Sequence, residues 1–261
     1  MKKIANFTQT YDVMAPFTTE SDGKDRSFLI DFLVRDENQK NIRNYLLDYP
    51  TYNFHNMDQK KTSVLTSKIS DAMPRTEFFS YYGMTFGESI SRHVRMLKDK
   101  GCTDLLWIQD DEFFVHDSFE DFKTMLNFYR SNENIQHICL HYGMKELGLD
   151  GNDFKSHTID DHVKIYEVSA RNIADKGQFG MNNTAFLCNI DLFLNKIFDE
   201  SVIPYTNAYE LELVMMRKSV DNDIPRFVCN TRFFRTFNIV GMSGSLGEAE
   251  KNLEELKNRF G

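Results

Sequence analysis

Residues 104–115 read DLLWIQDDEFFV. Leu105, Leu106, Trp107 and Ile108 form a short apolar run that ends in three consecutive acids, Asp110, Asp111 and Glu112. Phe113 and Phe114 then resume the apolar pattern. A run this short reads as a buried strand, although periodicity alone does not separate it from a buried helical segment. Three carboxylates between buried apolar groups repel one another and lose hydration, which is costly unless positive charge lies beside them. A hard divalent cation meets that need: Mg²⁺ or Mn²⁺ takes oxygen ligands and bridges one or two carboxylates to a substrate phosphate. The plainer alternative is a solvated acidic turn at a strand end.

Working outward, residues 88–100 carry Ile90, Val94 and Leu97 on one face and close at Gly101, which predicts an amphipathic helix. Residues 119–129 carry a similar stripe of Phe119, Phe122, Met125, Leu126 and Tyr129. Strands are predicted over 2–10, 52–55, 77–82 and 136–141, with helices over 27–35 and 41–47. The polar stretch 60–71 reads as loop plus a short helix. Strand alternating with helix argues for an α/β sandwich whose central, mostly parallel sheet is flanked by helices. Ligands of such sheets sit beyond the carboxyl ends of the strands, where the acids fall. The second half is more mixed: a surface excursion over 143–161, a turn over 177–180, strands over 163–169, 183–188, 226–229 and 233–240, and helices over 190–198, 209–218 and 247–260.

The 261 residues are expected to form one domain, with no internal repeat and no low-complexity tract. Formal net charge is −8, and no dense Lys/Arg cluster stands out, so nucleic acid is not indicated as the main partner. No eighteen apolar residues run together, and residues 1–13 lack the apolar stretch of a signal peptide. Cys102, Cys139, Cys188 and Cys229 are scattered and form no zinc spacing, so free thiols in a reducing, cytoplasmic compartment are expected.

Four segments, in order, resemble the glycosyltransferases of the GT-A fold, in particular the inverting family-2 type. Ser91-Arg92-His93 is similar to that family's "aRN" signature, and residues 107–112 to its metal-binding strand end. Residues 183–199, NTAFLCNIDLFLNKIFD, and 209–217, YELELVMMR, are similar to two later family segments. The resemblance spans about residues 2 to 245. It implies a nucleotide-sugar donor, most simply a UDP-sugar, and Mn²⁺ or Mg²⁺ on its diphosphate. It also implies a carboxylate base acting on an acceptor hydroxyl, with inversion. Residues 1–141 would form the nucleotide-sugar-binding half. Residues 142–261, with the C-terminal helix, would bind the acceptor: a glycan, a protein or a modified nucleobase.

Carried over residue by residue, the resemblance assigns Asp111 and Glu112 to the metal and Asp110 to the ribose or a metal-bound water. The family's first acid aligns with Gln109, so two registers stay open, Gln109-Asp110-Asp111 and Asp110-Asp111-Glu112. Glu210 is the expected general base and Glu212 the alternate; both also suit the first turn of a helix electrostatically. Thr8, Thr10 and Tyr11 would contact base and ribose, Asn56 and Asp58 the nucleobase, and Arg92 a phosphate. Packing, a turn and a solvated charge are the plainer uses of Tyr11, Asp58 and Arg92. Where many members place a late metal-binding His, this chain has Asn238.

Two other classes stay open. A nucleotidyltransferase would use similar acids but shows a Gly-rich basic loop after the first strand, whereas residues 8–25 hold only Gly23 and are not basic. A catalytically degenerate GT-A-like binding domain fits Gln109 and Asn238, but not the retained acids.

Overall fold

The structure, a computed structural model, describes residues 1–11, 28–175, 184–206, 208–237 and 246–260. The first half contains β1 (Ile4–Phe7), β2 (Gln9–Tyr11), α1 (Leu29–Leu33), α2 (Glu37–Asn41), β3 (Thr51–His55), α3 (Gln59–Ala72) and β4 (Glu77–Tyr81). It continues through α4 (Phe86–Asp99), β5 (Asp104–Trp107), β6 (Glu112–Phe114), α5 (Phe119–Ser131) and β7 (His137–Gly143). The second half contains α6 (Met144–Leu147), β8 (Ser156–Thr158), β9 (Lys164–Ser169), α7 (Ala170–Ala174), β10 (Phe186–Asn189) and α8 (Ile190–Leu192). It ends with α9 (Ala208–Asp221), β11 (Pro225–Cys229), β12 (Phe234–Thr236) and α10 (Leu246–Phe260).

The main sheet has the order β1-β5-β10-β7-β11-β9-β8. β1 pairs parallel with β5 and β7 with β11, while β10 lies antiparallel between β5 and β7. Five of the seven strands therefore point one way, as expected for a mostly parallel sheet. A second, all-parallel sheet has the order β2-β3-β4. The two meet where the first strand bends: the Asn6 amide donates to Tyr49 O and the Asn53 amide to Thr8 O.

Side chains alternate across β5, and each face recruits its own helix. Leu105 and Trp107 pack with Ile90, Val94 and Leu97 of α4. Leu106 packs with Phe122, Met125 and Tyr129 of α5. α4 starts at a capping box, in which Thr85 accepts from the Glu88 amide and Glu88 from the Thr85 amide. It stops at Gly101, whose φ of +79° suits glycine.

Several stretches differ from the sequence reading: the one strand expected over 2–10 is two, β1 and β2, in separate sheets, and β6 and α7 are additional elements. Residues 60–71 lie in α3, fourteen residues long. Asp58 caps it by accepting from the Lys60 and Lys61 amides, and its buried face is only Leu65 and Ile69, too narrow to show as a stripe. The excursion 143–161 contains α6 and β8, and β8 extends the sheet edge by pairing with β9. The expected turn at 177–180 lies outside the described residues. No helix among the described residues is long and apolar enough to cross a membrane. All four cysteines are free and buried.

The burial of neutral histidines sets an expected acid sensitivity. Burial lowers His55 to about 4 and His93 to about 3, and His137 well below its ordinary value. Their folded-state pKa values lie below the unfolded 6.5, so their contribution is present above pH 6.5 and lost as pH falls through that value. One unit below it, each costs about 1.4 kcal/mol, or about 4 kcal/mol together. Asp36 acts in the opposite sense, because burial raises its carboxyl to about 6 and it gains a proton in the fold first; at pH 5.5 it returns under about 1 kcal/mol. The histidines win, and denaturant unfolding at pH 5.5 should show about 3 kcal/mol less stability than at pH 7.5. Equal stability at the two pH values would refute this reading of the three rings.

Candidate functional site

The chain order reverses at its first strand. β1 pairs with β5 on one side, while its continuation β2 pairs with β3 on the other. That is a topological switch point, where the crevice of an open α/β sheet lies at the carboxyl ends of the strands. The acids follow β5 at this end. Ile108 still donates to Phe7 O at 3.0 Å, and the chain then turns through Asp110 and Asp111 into β6.

Thr10 and Asp110, one hundred residues apart, meet here: Thr10 Oγ1 lies 3.2 Å from Asp110 Oδ2 and 2.6 Å from the Tyr52 hydroxyl. With Thr10 donating to the carboxylate, Tyr52 donates to Thr10. Asp110 is 2% exposed. Arg43 stands behind this cluster, fully buried, its guanidinium 5.7 Å from the centre of the Tyr52 ring. It donates to Thr8 Oγ1 at 2.9 Å and to Thr51 O at 3.3 Å, and burial lowers its pKa to about 10. In the same sheet, Asn53 is buried opposite Gln9. The Asn53 side-chain amide group and Gln9 Oε1 have no hydrogen-bond partner among the described residues.

Asp111 is 6% exposed, and its carbonyl accepts from the Phe237 amide at 2.9 Å, which ties the acidic turn to the end of β12. Glu112, expected as a metal ligand beside it, has a different setting. It is fully buried, Oε1 accepts from the Ala185 amide at 2.6 Å, and Oε2 accepts from the Gln109 amide at 2.8 Å. His141 Nδ1 lies 3.0 Å from Oε1. Both oxygens are committed to protein groups, so Glu112 braces the turn against β7 and the start of β10.

Beyond His141 lies Tyr142, ring against ring with centroids 4.5 Å apart. Burial, then Cys139, Glu112 and Glu212, push the Tyr142 phenol up to about 12, with Arg232 acting the other way. Glu212 thus shares one electrostatic neighbourhood with Glu112. Glu210 is exposed in the first turn of α9, and Glu212 is half-buried one position past the next residue.

The remaining sequence candidates are placed as follows. Thr8 belongs to the buried Arg43 network, also accepting from the Asn6 side chain at 3.2 Å. Asn56, at φ +50°, donates to Met84 O and accepts from the Gly83 amide, so its amide holds the turn before α4. Asp58 is the α3 cap, and Arg92 is exposed on α4, near enough to Tyr81 to lower its phenol pKa against the larger effect of burial. The Tyr11 side chain and Asn238 lie outside the described residues. Sequence reasoning missed Arg43, Tyr52 and His141. An arginine among Ile42, Leu46 and Leu47 was the one available signal for the first.

Among the described residues, no group of three or more His, Cys, Asp or Glu side chains converges as a metal-ligand set. The other acids of the turn are Asp110 and Asp111. Two hard oxygen donors fit an ion such as Mg²⁺, which keeps waters and binds through one or two carboxylates plus substrate phosphates.

No family model matches the chain, and no curated protein matches it. Solved structures do. Residues 1–349 of TarS from S. aureus match at TM-score 0.51 with 11% identity, over 98% of this chain and 71% of that one. A UDP-glucose pyrophosphorylase complexed with UDP-glucose matches at 0.47 with 12% identity, over 99% and 100%. A UTP-bound UGPase from Acinetobacter baumannii matches at 0.45 with 11% identity, over 98% and 93%. The first supports the fold; the other two are too distant to add to it.

Proposed function

We propose that the protein transfers a sugar from a nucleotide-sugar donor to an acceptor hydroxyl. The observation that carries this is the meeting of Thr10, Tyr52 and Asp110 at the switch point, with Asp111 in the adjoining turn. Residues 1–141 form the donor half in this reading and residues 142–261 the acceptor half. Asp111 and Asp110 would hold Mg²⁺ or Mn²⁺ against the donor diphosphate, where the cation stabilises charge on the departing nucleotide. Asp110, oriented by Thr10, faces the ribose. The unpartnered Asn53 side-chain amide group and Gln9 Oε1 would offer polar groups to the nucleobase. A UDP-sugar is the first donor to try.

Glu212 is the better-placed general base, because it shares the Tyr142–Glu112 neighbourhood while Glu210 is exposed. It would take the proton of the acceptor hydroxyl as that oxygen attacks the anomeric carbon. Glu212→Gln should lower turnover by about 10²–10⁴-fold with donor affinity retained, while Glu210→Gln stays near wild type. The opposite pattern in a sugar-transfer assay would return the role to Glu210.

A further inference from the structure

Beside the β6–β12 pair, lined by Val115 and His116 after β6 and by Arg235 of β12, lies a pocket of about 220 Å³. We infer that it binds a phosphate oxyanion, free or carried on a small ligand. Three guanidinium groups, those of Arg232, Arg235 and Arg259, line it on a chain whose net charge is −8. Planar guanidinium groups match phosphate oxygens with paired donors.

Three acids also line the pocket: Asp117 is exposed, and the other two are engaged by protein groups. Glu255 faces Arg235 Nη1 at 3.0 and 3.1 Å and Arg259 Nε at 3.7 Å. Glu146 accepts from the Gly143 amide at 2.9 Å. The half-buried Arg232 guanidinium, in contrast, makes no hydrogen bond or ion pair with the described residues, and its charge is felt at Tyr142.

The wall is built rather than incidental. Arg235 is clamped by Glu255 and Asn252 and lies 4.7 Å over the Phe237 ring. His116 Nδ1 lies 3.1 Å from both the amide and the carbonyl of Ser118, and its Nε2 lies 2.9 Å from Thr231 Oγ1, which ties down the residue before Arg232. The Thr231 backbone also rests on Gly143, where a Cβ would come within 2.6 Å of it. The volume is below the roughly 300–1,000 Å³ of pockets that enclose drug-sized ligands, so it suits one phosphoryl group with a small body rather than a nucleotide. Along β6 its lining begins at Val115, four residues or roughly 13 Å of strand past Asp111, while on β12 Arg235 lies opposite Phe113. The inference does not rest on the sugar-transfer reading.

The test is calorimetric titration of the whole protein with inorganic phosphate, at fixed ionic strength and with chelator present. Saturable binding is expected, weakened at least fivefold by Arg232→Ala and by Arg259→Ala, and unchanged in Asp111→Asn. Circular dichroism confirms the fold of each variant; should one fail to fold, the other decides. Glucose 1-phosphate in place of phosphate separates the sources. Tighter, Arg232-dependent binding identifies a ligand-borne phosphate, and equal, Arg232-dependent binding identifies the free ion. Absence of binding in the wild type, or the same affinity in both arginine variants, overturns the inference.

Discussion

Asp111→Asn should lower sugar transfer by about 10³-fold or more while leaving the thermal midpoint within a few degrees of wild type. A cation held against a diphosphate is asked for several kcal/mol of charge stabilisation, and each 1.4 kcal/mol is tenfold in rate. The substitution preserves shape, and the Asp111 carbonyl that accepts from Phe237 belongs to the backbone and is unaffected. It also removes one of three neighbouring negative charges, which relieves repulsion. Loss of activity without loss of stability is the signature of a ligand-binding carboxylate. Full activity in Asp111→Asn would remove it from the site.

Glu112→Ala should show the opposite signature and lower stability by about 3–5 kcal/mol, the usual cost of removing one partner from a buried, charged hydrogen-bonded group. Three protein groups, the Ala185 amide, the Gln109 amide and His141, would lose their acceptor at a fully buried position. For a chain of this size that is a fall in midpoint on the order of 10 °C. Glu112→Gln should also destabilise, by less, because its NH₂ group would face a donor. Denaturant unfolding checks both, and wild-type stability in Glu112→Ala would mean the brace carries no load. The two expected results separate the neighbouring acids: in the proposed reading Asp111 serves ligand binding, whereas the contacts of Glu112 are with the fold.

That separation could not be read from DDE. What the sequence carried was local: the apolar run of β5, the helical spacing of Ile90, Val94 and Leu97, and the alternation of strand and helix that puts acids at a carboxyl strand end. The partners that decide each acid's role are distant in sequence. Glu112 depends on His141 and Ala185, Asp110 on Thr10, and Thr8 on Arg43. Asp58 was legible as a cap, since an Asp directly before a polar helix accepts from its first amides; the family resemblance instead suggested a nucleobase contact. The helix behind it was obscured because only two of its side chains are buried. The preference proposed for Glu212 over Glu210 draws on Tyr142, which is distant in sequence, and on the exposure of Glu210.

The central claim is that the acidic turn and the Thr10–Tyr52–Asp110 cluster bind a nucleotide-sugar together with a divalent cation. The most direct measurement is the thermal unfolding midpoint of the wild-type protein with UDP or a UDP-sugar and Mn²⁺, repeated with chelator. A ligand that binds only the folded state adds about 2.7 kcal/mol of stability at a hundred times its Kd, so the midpoint should rise by several degrees and fall back on chelation. An unchanged midpoint with UDP, and with every other nucleoside diphosphate tried, would contradict the claim.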